Sequence, residues 1–208
     1  MDPYVYPGTT VLRNLRAIRD AEQLNQFEAL MTSRRAVELE HQPIQGRFDA
    51  RHLQAIHHHI FQDVFEWAGD FRTVNIFKSG DPFAFHQHIV SSVDKLCGDL
   101  KREWHLAGTD AEHFANRGAY YLGEMNAVHP FREGNGRTQR EFIRQLGVRN
   151  NGLVLDWGQI SREEMIEASR RSLRMDNTGL EQVLKKALDN EPNRQRGLDR
   201  DGGIERGR

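Results

Sequence analysis

The sequence lacks several features that would direct it to other classes of protein. One cysteine, Cys97, in 208 residues excludes an intramolecular disulfide and argues against cysteine-based zinc binding, as suits a reducing cytosol. There is no apolar run of the roughly 18 residues that a membrane span needs, and the start, MDPYVYPGTT, has no basic segment typical of a secretion signal. A net charge of -1 provides no general basic field for nucleic acid. We expect a cytoplasmic protein that binds any anion at a local site.

Helical periodicity dominates what is present. Apolar residues recur at helical spacing in segments that we place at about 24–31, 49–69, 85–104, 111–128 and 138–147. Two capping boxes, Ser161 with Glu164 and Thr178 with Glu181, predict two further helices. From Asn190 the chain is rich in glycine and charge, so we predict one all-α domain over 1–189 and a flexible tail over 190–208.

One segment has the pattern of strands. In FRTVNIFKSGDPFAF, residues 71–85, Val74 and Ile76 alternate with polar neighbours, and residues 79–82 supply a turn. We predict a short exposed hairpin at about 73–85.

The stretch HPFREGNGR, residues 129–137, combines residue types suited to phosphate chemistry. Gly134 and Gly136 allow a tight turn that points backbone N–H groups at one spot, and the N-terminus of the helix that follows adds partial positive charge. Arg137 and Arg140 stand three positions apart in the first turn of that helix, where cations oppose the helix dipole unless an anion lies among them. The pattern predicts a polyphosphate site.

Two further side chains indicate what the site does. Glu133 would repel a bare polyphosphate but could hold Mg²⁺ that bridges phosphate oxygens. His129 ends the preceding helix, and a histidine, with an ordinary pKa of about 6.5, can take a proton from a hydroxyl nucleophile. These residues favour transfer from a Mg-nucleotide to a hydroxyl, and they leave open which phosphorus is attacked.

Each feature alone has a structural explanation. A single Gly-Asn-Gly is usually a turn, and a histidine at a helix end is usually structural. The run of three histidines at 57–59 lacks the i, i+3 or i+4 spacing of helical metal ligands, so we assign no metal there. The combination in 129–140 is what indicates function.

The combination resembles the motif of the Fic (filamentation induced by cAMP) family, H-x-F-x-(D/E)-G-N-G-R-x-x-R, at every specified position from His129 to Arg140. The similarity extends over residues 3 to about 188, including DPYVYPG and VLRN near the start and FEWAGDFRTVNIFKSG before the hairpin. It implies a Fic-fold helical bundle with a short β-hairpin flap, and transfer of AMP from ATP to a Ser, Thr or Tyr hydroxyl of a target protein.

The resemblance also implies a role for each motif residue. His129 is the general base, Glu133 the Mg²⁺ ligand, and Arg137 and Arg140 the phosphate ligands. Gly134, Asn135 and Gly136 then form the anion cradle, with Asn135 at the α-phosphate. Phe77 and Lys78, at the end of the flap, border the nucleotide. The flap, through Val74 and Ile76, would register the target segment by strand addition.

Family members commonly carry an inhibitory helix with the pattern (S/T)-x-x-x-E-(G/N), and no Ser or Thr here has Glu four residues on. The sequence therefore resembles the toxin-type class, in which a separate small antitoxin supplies that helix and its glutamate pairs with Arg140. Several such toxins act on gyrase and topoisomerase IV, which makes type II topoisomerases candidate targets by analogy.

Two alternatives remain at this stage. One is transfer of another group, such as phosphate in Doc-like relatives, although those depart from the Gly-Asn-Gly that is intact here. The other is a non-catalytic nucleotide-binding module, against which the intact His129 argues.

Overall fold

The structure, a computed structural model, describes residues 2–78 and 81–193, and this part of the chain is mostly helical. The helices are α1 (Ala21–His41), α2 (Ala50–Phe61), α3 (Ile89–Arg102), α4 (Ala111–Val128), α5 (Asn135–Asn151), α6 (Arg162–Ser172) and α7 (Thr178–Leu188). Short 3₁₀ turns occupy His86–His88, Trp104–Leu106 and Trp157–Gln159. The predicted helical class is confirmed. Within the described ranges, no helix combines the length and apolarity that crossing a membrane requires.

Helix α2 begins as predicted and ends earlier. The Asp49 carboxylate caps it by accepting the His52 N–H at 2.9 Å. It ends at Phe61, not near Gly69, because the N–H groups of Val64 and Phe65 both turn back to the Phe61 carbonyl. The following turns bring the chain back past the same helix.

The predicted hairpin is represented by two strands of two residues each, β1 (Phe77–Lys78) and β2 (Asp81–Pro82), paired antiparallel. Ser79 and Gly80, between them, lie outside the described residues. Val74 and Ile76, predicted as strand positions, precede β1. The Val74 carbonyl accepts a hydrogen bond from the Arg72 side chain at 2.6 Å.

The chain divides into two compact units. Of the described residues, the first comprises 2–78, 81–99 and 128–142, and the second comprises 100–127 and 143–193. In the first unit, α1 packs against α2 around buried aromatic side chains that include Phe61, Phe65 and Phe131. In the second, α6 packs against α7, and Leu180 and Leu184 are fully buried. All of the predicted site residues belong to the first unit.

The capping predictions had different outcomes. Ser161 and Glu164 form both reciprocal bonds of a capping box at the start of α6. The second capping box is wrong, because Thr178 is itself the first residue of α7 and its hydroxyl bonds to Asp176.

The start of the predicted tail is held in place. The Asn193 amide donates to the carbonyls of Val154 and Leu188, both at 2.8 Å. Residues 194–208, which make up most of the predicted tail, lie outside the described part of the chain.

Candidate active site

The motif forms a loop between the end of α4 at Val128 and the start of α5 at Asn135. Its first and last residues have left-handed backbone angles, with φ of 48° at His129 and 80° at Gly134. A positive φ is strained for histidine and ordinary for glycine. The strain at His129 persists because the residues around it fix the loop from several sides.

Asn135 closes the loop from inside. Its side chain is 3% exposed and bonds to Phe131 in both directions, accepting the Phe131 N–H at 2.9 Å and donating to the Phe131 carbonyl at 2.8 Å. We predicted Asn135 at the α-phosphate. Since its amide is engaged within the loop, its backbone N–H in the first turn of α5 is the group suited to an anion.

Gly134 makes room for an aromatic ring. A Cβ added at this position would lie 2.1 Å from the ring of Phe61, the last residue of α2. The glycine also supplies the carbonyl that accepts the N–H of Thr138 at 3.2 Å and its hydroxyl at 3.1 Å. Glycine is therefore required here by both its φ and the available space.

His57 supports the loop from α2 and is fully buried. Its Nδ1 accepts the Gly69 N–H at 2.8 Å, which leaves Nε2 as the donor to the Glu133 carbonyl at 3.0 Å. The ring stacks on that of Phe131 with centroids 3.9 Å apart. The histidine run in α2 thus contributes a structural residue, and no cluster of three metal-binding side chains occurs within the described ranges.

His129 is fixed by two residues that the sequence did not single out. The ring of Phe83, just after β2, stacks on the His129 ring with centroids 3.8 Å apart. The Arg72 Nε donates to the His129 carbonyl at 2.8 Å. A side chain held in this way loses little further freedom when a ligand arrives.

Arg140 is available to an anion. No hydrogen bond or ion pair joins it to any residue in 2–78 or 81–193. Its guanidinium lies over the first turn of α5, where a Cβ added at Gly136 would be 3.4 Å from Nη1. Burial, and then the neighbouring Arg137, lower the pKa of Arg140. Arginine nevertheless stays protonated at neutral pH, so this is a partly desolvated cation without a carboxylate.

Arg137 differs from Arg140 because it is already paired. Its guanidinium donates to the Glu28 carboxylate and to the Thr32 hydroxyl, both on α1, and lies over the Phe61 ring. Burial raises the pKa of Glu28, and the charge of Arg137 opposes that rise. Arg137 lies in the first turn of α5 as expected and Arg140 in the second, and the two are not equivalent; their role as phosphate ligands stays a prediction.

Glu133 and Phe77 are accessible. The Glu133 side chain is 45% exposed, accepts the Gly134 N–H at 2.9 Å and lies 3.7 Å from Arg137. Phe77 in β1 is 64% exposed, and Lys78 pairs through its backbone with Asp81. Contact of Phe77 and Lys78 with a nucleotide, and of Val74 and Ile76 with a target, stays a prediction.

The chain is similar to known proteins of one family. The profile of the Fic/DOC family matches residues 47–146. The y4lH protein of Sinorhizobium fredii, named as a probable protein adenylyltransferase, is 39% identical over 90% of this chain and 96% of its own length. The chain belongs to the Fic/DOC family. Another family member, the protein adenylyltransferase VbhT of Bartonella schoenbuchensis, is 46% identical over 82% of this chain, which spans 36% of the length of VbhT.

Solved structures of Fic proteins have the same fold. The BepC effector of Bartonella tribocorum, with AMPPNP bound, superposes with a TM-score of 0.85 at 27% identity, covering 90% of this chain and 97% of BepC. An N-terminal Fic domain from Bartonella quintana, with ADP bound, gives 0.81 at 30% identity, covering 88% of this chain and 93% of that one.

Replacing Gly134 with alanine tests the close approach to Phe61. We expect Gly134→Ala to lower the free energy of unfolding by about 2 kcal/mol or more, because a left-handed φ and a steric overlap both oppose the methyl group. Urea unfolding measures the change. Gly136→Ala is the matched control, since its methyl group meets only the flexible end of Arg140, and an equal loss in both variants would contradict the prediction.

The buried His57 predicts a pH dependence of stability. Burial lowers its pKa from 6.5 to about 3. Below about pH 6.5 the unfolded chain therefore binds a proton that the folded chain does not, and stability falls by up to ~1.4 kcal/mol per pH unit until the folded pKa is reached. His57→Gln removes this titration and keeps a donor for the Glu133 carbonyl.

The measurement is urea unfolding of both proteins from pH 7.5 to pH 5, above the range in which carboxylates dominate. We expect the stability advantage of the wild type over His57→Gln to shrink as the pH falls. The exposed His41 supplies the control variant His41→Gln. Parallel curves for the wild type and His57→Gln would show that His57 does not remain neutral in the folded protein.

Proposed function

We propose that this chain is a protein adenylyltransferase, which transfers AMP from Mg-ATP to a Ser, Thr or Tyr hydroxyl of a target protein. The observation that carries the proposal is the partly buried Arg140, which has no carboxylate partner in the described residues and lies at the N-terminus of α5. An anion is the natural occupant of such a place. The names of the relatives, and the AMPPNP bound to BepC, support a nucleotide as that anion.

The reaction follows from the groups present. A ring nitrogen of His129 takes the proton of the target hydroxyl, whose oxygen attacks the α-phosphorus of ATP. The bond between that phosphorus and the bridging oxygen of the β-phosphate breaks, and pyrophosphate leaves. Arg140 and the first N–H groups of α5 stabilise the charge that develops on the phosphate oxygens. The fixed ring of His129 provides the base without further reorganisation.

Glu133 fits the proposed magnesium ion. Mg²⁺ bound with a nucleotide is typically held by one or two carboxylates, by phosphate oxygens and by water. Glu133 offers one accessible carboxylate at the edge of the loop. Bound there, Mg²⁺ would neutralise charge on the phosphates and keep Glu133 from repelling them.

The hairpin and the nucleotide-binding residues complete the proposal. Val74 and Ile76 lead into β1, where a target segment could add as a further strand, and Phe77 and Lys78 border the nucleotide. Since Phe83 at the end of the hairpin stacks on His129, a segment docked along this strand lies close to the base.

Transfer is tested in a bacterial lysate incubated with the purified chain, Mg²⁺ and ATP labelled at the α-phosphorus. We expect labelled protein whose peptides carry an AMP-sized addition, and a loss of rate of roughly 10²- to 10⁴-fold in His129→Ala, as for a general base. His41→Ala, at an exposed position, is the control.

The position of the label separates the alternatives. Label from the γ-phosphorus, with a phosphate-sized addition, would indicate Doc-like phosphotransfer. No label from either position would indicate a nucleotide-binding module. Purified gyrase and topoisomerase IV are the first target candidates, and failure to modify them would remove those targets and leave the reaction in place.

The second part of the proposal is inhibition by a separate small antitoxin. None of the Ser and Thr residues in the sequence begins the inhibitory pattern, and Arg140 has no carboxylate partner within the described residues. A glutamate on an incoming helix would pair with Arg140 and prevent productive placement of the triphosphate.

A synthetic helical peptide with the pattern Ser-x-x-x-Glu-Gly tests this pairing by fluorescence anisotropy. We expect Arg140→Gln to weaken binding by roughly 10- to 100-fold, the usual effect of losing a charged hydrogen bond. The same peptide with Gln in place of Glu should bind wild type and variant equally. Equal binding of the glutamate peptide to both proteins would rule out Arg140 as its partner.

A further inference from the structure

Arg72 is a buried arginine whose partners are all main-chain groups. It is 2% exposed, and its guanidinium donates to four carbonyls: those of His129 at 2.8 Å, Val128 at 3.2 Å, Val74 at 2.6 Å and Ala84 at 2.5 Å. No ion pair joins it to a carboxylate within the described ranges. This arrangement uses the planar set of five N–H donors that only arginine has.

The four carbonyls belong to two different parts of the site. Val74 and Ala84 lie on the two sides of the β1–β2 hairpin, and Val128 and His129 are the end of α4 and the start of the motif loop. One side chain therefore joins both legs of the hairpin to the backbone of the base.

A second set of contacts strengthens the same connection. The Arg72 backbone N–H donates to the Pro130 carbonyl at 2.9 Å. Phe83, next to Ala84 in the returning leg, stacks on the ring of His129. The hairpin is thus attached to both the main chain and the side chain of His129.

We propose that Arg72 is a positioning residue that fixes the hairpin and His129 relative to each other, so that a target segment docked on the hairpin presents its hydroxyl to the base. The inference rests on the proposed adenylyl transfer for its consequence in catalysis. Its structural part, the linkage of hairpin to base, can be tested separately. An apolar side chain of similar volume would fill the space but leave the carbonyls without donors.

Arg72→Lys is the decisive variant, because lysine keeps the charge but presents a compact ammonium group that cannot reach carbonyls on both legs and on the loop. Arg35→Lys is the matched control. Arg35 is also hydrogen-bonded on both sides, to Glu38 and Asp63, and lies in the same unit with no hydrogen bond to the hairpin or the motif loop among the described residues.

The first measurement needs no substrate. Hydrogen exchange of the amides in 74–85 and the NMR signals of the His129 ring are compared in wild type, Arg72→Lys and Arg35→Lys. We expect exchange to be at least tenfold faster, and the His129 ring signals to shift, only in Arg72→Lys. Unchanged hairpin exchange and His129 signals would overturn the linkage whatever the protein catalyses.

The second measurement uses the lysate transfer assay together with calorimetric titration of Mg-ATP. We expect Arg72→Lys to bind Mg-ATP within twofold of wild type and to transfer label at least tenfold more slowly. Partial rescue of Arg72→Ala by guanidinium chloride, but not by ammonium chloride at equal ionic strength, would support the need for planar donors.

The outcomes are distinct. Full transfer by Arg72→Lys would overturn the positioning role. If Arg72→Lys loses nucleotide affinity and melting temperature together with transfer, the role of Arg72 is a general structural one instead. If the wild type transfers no label, the proposed function fails, and the exchange and NMR results alone decide the inference about Arg72.

Discussion

The carbonyl groups of the loop at 129–134 need hydrogen bonds inside the protein, because the loop is neither helix nor strand and is largely shielded from water. Arg72 satisfies the carbonyl of His129, Asn135 that of Phe131, and His57 that of Glu133. These donors come from segments far apart in the chain. The motif therefore takes its shape only when α2, the hairpin segment and α5 are assembled around it.

The same bonding divides the site into a fixed side and an open side. His129 is held by its carbonyl and by a stacked ring, whereas Arg140 has no partner within the described residues. An ordered imidazole and an unneutralised cation are what the proposed transfer of a charged group to a neutral hydroxyl requires. The strained φ of His129 is the local cost of that arrangement, and the surrounding contacts offset it.

Much of this site was predictable because the motif is local in sequence. The loop, the helix after it and the placement of both arginines follow from the spacing of residues 129–140. The supporting residues were missed because their partners are distant: His57 lies 76 positions from Glu133, and Arg72 lies 57 from His129. A histidine within a run, or an arginine between Phe71 and Thr73, gives no local sign that it will be buried against carbonyls.

The unequal surroundings of the two motif arginines have a consequence for how the affinity of the site responds to ionic strength. The charge of Arg137 is largely compensated by Glu28, while that of Arg140 is not. The long-range attraction for a polyphosphate then comes mainly from one guanidinium and the N-terminus of α5, since paired charges contribute little at a distance. Nucleotide affinity is expected to weaken with added salt less steeply than a count of two free arginines would suggest.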